Sequence, residues 1–414
     1  MIMPDIRPFK GLRPAKQLAE KVAAPPYDVL NSEEARELAK DNPYSFLHVS
    51  KPEIDLPENI DLYDEKVYQK GADNLKKLIK DGVLIQDEKP CFYIYRQIMG
   101  DHEQSGIVAA ASVEDYKNGF IKIHEYTRED KEQDRAKHVD TLNANTGPVF
   151  LTYHSREELN ALVEGCKRHT PMYDFISNDC IRHTLWKIED DALITAIHDE
   201  FKKIENLYIS DGHHRSAAAA RVQELRKKNN PDHSGNEEYN YFLSVIFPDD
   251  QLYIMDYNRV VTDLNNVAKE EFLQKIKEKF DVTEESSQYK PESKHTFGMY
   301  LEGTWYQLIP HDNIYDEDDP VGSLDVSILH ENIMEPILGI RNPRKDKRID
   351  FVGGIRGLEE LEKLVDSKKF KLAFALYPTL IDDLMRVADS DNVMPPKSTW
   401  FEPKLRSGLI THLL

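Results

Sequence analysis

The stretch Asn206-Leu207-Tyr208-Ile209-Ser210 runs straight into Asp211-Gly212-His213-His214-Arg215 and on into Ser216-Ala217-Ala218-Ala219-Ala220. An apolar strand ends, a glycine permits a tight turn, and four consecutive alanines start a helix at once. The helix start so made has anion-binding geometry. Its first-turn N–H groups lack intrahelical partners, the positive end of its dipole lies there, and Arg215 adds a fork of donors. The alanine run lets this helix approach another backbone closely. A plainer reading has Asp211 cap the helix, worth about 1 kcal/mol, with the histidines as ordinary turn residues. Density argues against it, because an acid, a glycine, two imidazoles and a guanidinium in succession exceed what capping requires. Zinc is the weaker alternative: adjacent histidines at a helix start diverge by about 100°, and no second ligand pair is near in sequence.

Outward from this box, strands and helices interleave in both directions. On the N-terminal side, CFYIYRQIM and GIVAAASV flank Gly100-Asp101 as a hairpin. FIKIHEY (120–126) reads as an alternating strand, Thr127 to Asn145 as a polar helix, and VFLTY and HTLWKIE as strands separated by a helix near 156–166. Before them, Asp61 to Lys80 spaces Tyr68, Ala72, Leu75 and Ile79 as a core-facing helical stripe, and Ala24-Pro25-Pro26-Tyr27 forces an extended path ahead of a helix capped at Asn31 or Ser32. On the C-terminal side follow YFLSVIF, LYIMDYNRVV, a helix at 267–279, a hairpin at Glu302-Gly303, a helix at 324–335 and the buried strand FKLAFALYP. The fold class expected is α+β, a mixed α/β composite. Ser286–Lys294 and Asp312–Asp319 are the candidate linkers.

At 414 residues the chain is long enough for two or three structural units. Its composition is that of a globular protein, neither disordered nor membrane-spanning. Lys and Arg number 54 against 74 Asp and Glu, a net charge of −20, so nucleic acid is a poor partner. Cys91, Cys166 and Cys180 lack C-x-x-C spacing and suit a reducing compartment. The N-terminus has prolines and charges where a signal peptide needs an apolar stretch, and no apolar run is long enough to span a bilayer. The expectation is a cytoplasmic protein with no membrane partner. Oligomeric state is not legible, which leaves a homo-oligomer open.

Several further residues carry chemistry. His124-Glu125 closes the alternating segment, so one of the pair faces a site while the other faces away. Transfer of a phosphoryl group to an alcohol needs a group that orients the hydroxyl and takes its proton, and Glu125 is the first candidate, Asp211 the second. The alternative is an exposed glutamate at a strand end. Arg128, Arg135, Lys137 and His138 lie among acids on a helix that reads equally as a solvated, ion-paired face. Lys397, Lys404 and Arg406 bracket Ser398-Thr399-Trp400, either to close over a nucleotide or to pair with the acidic bulk. The basic run Arg341 to Arg348 reads as a hydrated loop. No Walker A motif occurs and no G-x-G-x-x-G follows a strand.

The box Asp211 to Ala219 resembles the phosphate-binding box of the ParB and sulfiredoxin superfamily. Sulfiredoxins show Gly-Cys-His-Arg there, but His213 stands where their catalytic cysteine belongs, which argues against sulfinic-acid repair. ParB proteins bind CTP with Gly-Glu-Arg-Arg, yet need a helix-turn-helix and a basic surface that this chain lacks. The D-G-H-H-R form is similar to that of the free-serine kinases. Over nearly its whole length the chain resembles the uncharacterised family called domain of unknown function 1015. The landmarks are Ala24-Pro25-Pro26-Tyr27-Asp28-Val29, Asn42-Pro43-Tyr44, His124-Glu125 with Thr127, Asp134-Arg135, Asp211 to Arg215, and MPPKSTWFEPKL at 394–405.

The resemblance implies an N-terminal arm and helical region (1–90), a ParB/sulfiredoxin-like nucleotide-binding core (91–261) and a C-terminal α+β region (262–414) whose tail returns to the site. It implies a kinase that transfers a phosphoryl group from ATP or ADP to free serine, with Mg²⁺ carried by the nucleotide and Asp211 its one protein contact. Gly212, His213, His214, Arg215 and Ser216 would bind phosphate with Arg135. Glu125, Asp211 and His124 would serve the chemistry, and Thr127, Lys397, Lys404 and Arg406 would add contacts. A non-catalytic nucleotide switch of the ParB type, or a kinase of another hydroxylated metabolite, is the alternative.

Overall fold

The structure is a computed structural model and describes residues 4–414. The chain forms two compact units: everything up to Leu252 together with the tail Pro403–Leu414, and the segment Tyr253–Glu402. Both are mixtures of helix and sheet, which makes the protein a mixed α/β, α+β chain. Both candidate linkers lie inside the second unit.

The first unit is built on a nine-stranded sheet. Its strands run in the order Ile121–Lys122, Leu207–Asp211, Val149–Tyr153, Tyr241–Pro248, His102–Ser112, Phe92–Met99, Arg182–Ile188 and Tyr173–Ile176, with Ile6–Arg7 also on His102–Ser112. Two pairings are parallel, Ile121–Lys122 with Leu207–Asp211 and Val149–Tyr153 with Tyr241–Pro248, and the rest are antiparallel. The apolar runs form the central strands because both of their faces are covered. Helices Glu157–Lys167 and Asp191–Phe201 pack on Phe92, Ile94, Ile107, Leu151 and Ile246. A second core joins the N-terminal helices through Phe46, Leu47, Ala72, Leu75 and Leu78.

Local chemistry explains most element ends. Asn31 and Glu34 exchange side-chain and backbone bonds of 2.9 and 2.8 Å, a capping box that starts helix Ser32–Ala39. In helix Glu65–Lys80 the stripe continues through Leu78, while Ile79 is exposed. The largest departure from expectation is FIKIHEY, of which only Ile121–Lys122 is strand. Its continuation leaves the sheet because side chains of the following box take its backbone donors: the His124 N–H donates to His213 Nε2 at 3.3 Å and the Arg128 N–H to His214 Nε2 at 3.1 Å.

The second unit is a six-stranded antiparallel sheet, ordered Phe280–Glu285, Thr304–Pro310, Phe297–Leu301, Leu372–Leu376, Tyr257–Val261, Ile349–Gly353. Helix Leu358–Asp366 covers one face over Val260, Tyr300, Ala373 and Ala375. The helix expected at 324–335 is α-helical only over Asp325–Leu329. It then widens into a π turn at His330–Met334, where the Glu335 N–H reaches the His330 carbonyl at 2.9 Å. The cysteines are free, Cys91 and Cys166 buried and Cys180 exposed. No helix among the described residues is long and apolar enough to cross a membrane.

Candidate phosphate-binding site

The box folds as a strand, Leu207–Asp211, a turn at Gly212 and a 17-residue helix, His213–Asn229. Gly212 has φ 102°, in the left-handed region, and a Cβ there would meet the Val149 Cα at 3.4 Å. Both constraints select glycine. The Gly212 carbonyl accepts from the Arg215 and Ser216 amides at 2.8 and 3.0 Å and from Ser216 Oγ at 3.3 Å. No side chain caps this helix, so the capping role considered for Asp211 is not what the residue does. Its Oδ2 instead accepts from Lys404 Nζ at 3.1 Å. Burial by itself would raise the Asp211 carboxyl, but Lys404 and Arg215 outweigh it and hold the group well below the usual carboxylate range.

The two histidines diverge as their positions on a helix require. His213 is buried with its ring edge-on to His124, centroids 4.5 Å apart, and its Nε2 accepts the His124 amide. His214 turns to the Arg128 amide. Burial pushes His124 down to about 4, His213 well below its ordinary value, and His214 down as well. At neutral pH these rings carry no charge, and His213 and His214 each use a lone pair to pin the 124–128 segment. His213 and His214 thereby hold this segment on the helix start.

The positive charge comes from two arginines and a lysine. Arg215 Nη1 donates to the Pro148 carbonyl at 2.8 Å and Nη2 to Asp28 Oδ2 at 2.9 Å, while its buried Nε has no partner. Its guanidinium carbon lies 5.5 Å from the Tyr27 ring centre, and that of Arg135 lies 4.2 Å from the same ring. Arg135 is aimed by Asp134, 2.8 Å away, which in turn accepts the Tyr68 hydroxyl at 2.8 Å. Burial, with Asp28 beside it, pushes the Tyr27 phenol up to about 12. Tyr27, Arg135, Thr146, Gly147, Arg215 and Ser407 line a cleft of about 460 Å³, its open mouth included. A Cβ on Gly147 would sit 3.7 Å from Arg215 Nε, so the missing side chain leaves space beside that nitrogen.

The other expected residues fall into distinct places. Gly212, His213, His214 and Ser216 are not in the cleft lining. Glu125 is half-buried beyond the Ile121–Lys122 strand. That strand pairs Ile121 with Leu207 and Lys122 with Tyr208, and the chain leaves the sheet before it reaches Glu125. Thr127 donates to Glu132 at 3.1 Å. Arg406 turns to another cluster: it pairs with Asp179 and donates to Ser177 at 3.2 Å, beside the buried His183. Lys397 belongs to the second unit, with its ammonium 5.5 Å from the Tyr257 ring centre. Sequence reasoning missed Tyr27, Asp28 and the Thr146-Gly147 turn as parts of a site. The first two stand in a quoted landmark, and the turn announces itself only by glycine before Pro148. Among the described residues no group of three His, Cys, Asp or Glu side chains is placed to hold a metal ion.

Among solved structures, a free serine kinase in complex with AMP is 13% identical, covers 73% of this chain and 92% of its own, and has a TM-score of 0.35. A point variant of a free serine kinase in complex with ADP is 15% identical, with the same coverages and a TM-score of 0.34. A conserved hypothetical protein from Pyrococcus furiosus is 14% identical, covers 73% of this chain and 95% of its own, and has a TM-score of 0.34. Likeness at this level says nothing of what this chain binds. No curated protein matches the sequence. The family described as "Protein of unknown function (DUF1015)" matches residues 6–327, most of the chain, and this protein belongs to that family.

Proposed function

We propose that the first unit is a small-molecule kinase whose cleft holds the phosphates of ATP or ADP against Arg215 and Arg135. The observation that carries the reading is the convergence of two guanidiniums on one tyrosine at a cleft, in a chain of net charge −20, with an arginine Nε left unpartnered. Asp28 holds Arg215 in the absence of ligand and is itself 40% exposed, so a phosphate oxygen can take its place. Free serine is the first acceptor to try, because the D-G-H-H-R box is similar to that of the free-serine kinases. This reading carries with it a ParB/sulfiredoxin-like core for the first unit.

In the reaction, the acceptor hydroxyl oxygen bonds to the terminal phosphorus as the bond from that phosphorus to the nucleotide's bridging oxygen breaks. The hydroxyl proton passes to the Glu125 carboxylate. Asp211, ionised and paired to Lys404, orients the acceptor, and the two arginines balance charge on the phosphoryl oxygens. A divalent ion would be held by the nucleotide oxygens with Asp211 as its one protein ligand, and it would neutralise phosphate charge.

Full-length protein incubated with ATP or ADP, Mg²⁺ and serine should yield phosphoserine and the shortened nucleotide. Glu125→Gln should lower turnover by about a hundredfold at nearly unchanged nucleotide affinity, whereas Arg215→Ala should weaken nucleotide binding first. Nucleotide bound with no acceptor-dependent product would favour a switch. Equal loss of binding and turnover in Glu125→Gln would make that residue structural.

A further inference from the structure

Arg259 is the middle residue of strand Tyr257–Val261 in the second unit, opposite Phe351 on one neighbour strand and Phe374 on the other. It is 5% exposed, and no carboxylate among the described residues pairs with it. Its Nη1 donates to the Tyr257 carbonyl and its Nη2 to the Lys397 carbonyl at 3.0 Å. A guanidinium has five N–H donors, so these two bonds leave three unused. Lys397 presents its carbonyl from a backbone at φ 61°, a strained position for a lysine that the MPPKSTW landmark holds in place. An uncompensated charge buried this deeply is costly, and a chain keeps one at a sheet centre only for a reason.

The guanidinium lines a cavity of about 420 Å³, its opening to solvent included, whose other walls are almost entirely apolar, among them Leu329, Met334, Ile349, Phe351 and Pro395. One further polar group enters it. His330 opens the π turn, and its Nδ1 is buried without a hydrogen-bond partner. The loop that contributes Pro343 to the wall also carries the exposed Arg341, Lys345 and Lys347, so the approach to the cavity is positive.

We propose that this cavity binds a small organic carboxylate with an apolar tail: the carboxylate takes the free donors of Arg259, His330 Nδ1 meets a second polar atom, and the tail fills the apolar walls. A single guanidinium matches a monoanion, since a phosphate dianion would leave one charge unbalanced among apolar walls. Burial pushes Arg259 down to about 10, which leaves it charged at neutral pH. The site is independent of the nucleotide reading, because every group in it belongs to Tyr253–Glu402.

Calorimetric titration of the full chain with butyrate, isovalerate, hexanoate and benzoate tests the idea, with hexanamide as the uncharged control. At least one acid should bind with a dissociation constant of about 1 mM or tighter, and hexanamide should bind about tenfold or more weakly than hexanoate. Arg259→Met should weaken the acid about tenfold or more while the protein stays folded by circular dichroism, and Arg259→Lys should fall between. Absence of binding by every acid, equal binding of acid and amide, or unchanged affinity in a folded Arg259→Met protein would each overturn the proposal. If Arg259→Met does not fold, the acid–amide contrast on the unaltered protein decides.

Discussion

The two units bury ionisable groups in opposite ways. In the first, Arg215 has an acid, a carbonyl and an aromatic face, while His124, His138 and His183 are buried as neutral rings. In the second, Arg259 has two carbonyls and the Phe351 ring, 5.4 Å from its guanidinium carbon, but no acid among the described residues, and the buried Asp325 has one oxygen without any partner. The electrostatic outcomes follow. Burial would lower Arg215, but Asp28 and Asp211 hold it above its ordinary value, whereas Tyr257 opposes the burial of Arg259 too weakly to restore it. Burial likewise pushes the Asp325 carboxyl up to about 7 against the pull of the His295 amide and Lys294. A charge that carries its own counterion is at rest and must exchange partners to bind a ligand. A charge without one is completed by the ligand.

The largest expected effect is a difference in pH response. Burial holds His124 at about 4 and both His138 and His183 at about 3, all below the roughly 6.5 of an unfolded imidazole. Their contribution is complete above that value and lost as pH falls toward 4, by about 1.4 kcal/mol per histidine per pH unit. Asp325 runs the other way: its contribution is complete below the roughly 3.9 of an unfolded aspartate and is lost as pH rises to about 7. Trp186 belongs to the first unit, and Trp305 and Trp400 to the second. Urea unfolding at several pH values, followed in Trp186→Phe and in Trp305→Phe/Trp400→Phe proteins, should therefore show opposite slopes between pH 4 and 6. Parallel slopes would break the comparison.

Substitution of the arginines should give the next largest difference. Arg215→Met strands Asp28 and the Pro148 carbonyl, and should cost about 2–3 kcal/mol in urea unfolding. Arg259→Met removes a charge with no acid to strand, and should change stability by about 1 kcal/mol or less in either direction. Equal losses would mean that the partners of Arg215 contribute nothing beyond burial.

Gly147→Val should leave the fold intact, because the glycine is not in the left-handed region, and should weaken nucleotide binding about tenfold by filling the space before Arg215 Nε. An unchanged dissociation constant would move the phosphates away from that nitrogen. The smallest effect concerns Lys404→Met. Asp211 is held low by Lys404 and Arg215, so its contribution is present above about pH 4 and lost as pH falls below it. The variant should flatten the acid limb of the stability curve by about 1 kcal/mol, with little change at pH 7.

Much of the fold was legible. The Gly100-Asp101 and Glu302-Gly303 turns, the box strand and its helix, and the apolar strands all appear where composition and spacing put them. The site was legible in part. Arg215 and Arg135 stand at the cleft, but Asp211 does not cap its helix and the histidines face backbone amides. The strand read from FIKIHEY ends early because an imidazole from a distant part of the chain claims the His124 N–H, a competition that alternation cannot register. Arg259 reads as an ordinary strand residue, and the π turn at His330 interrupts what reads as one helix.

Local sequence therefore determined which segments turn, extend or coil, because a glycine's φ, an alanine run or a capping box is settled among a few neighbouring residues. Only the tertiary structure decided which charges have partners. That depends on desolvation by segments far away in the chain, and on whether those segments bring an acid, a carbonyl or an apolar wall to the same guanidinium.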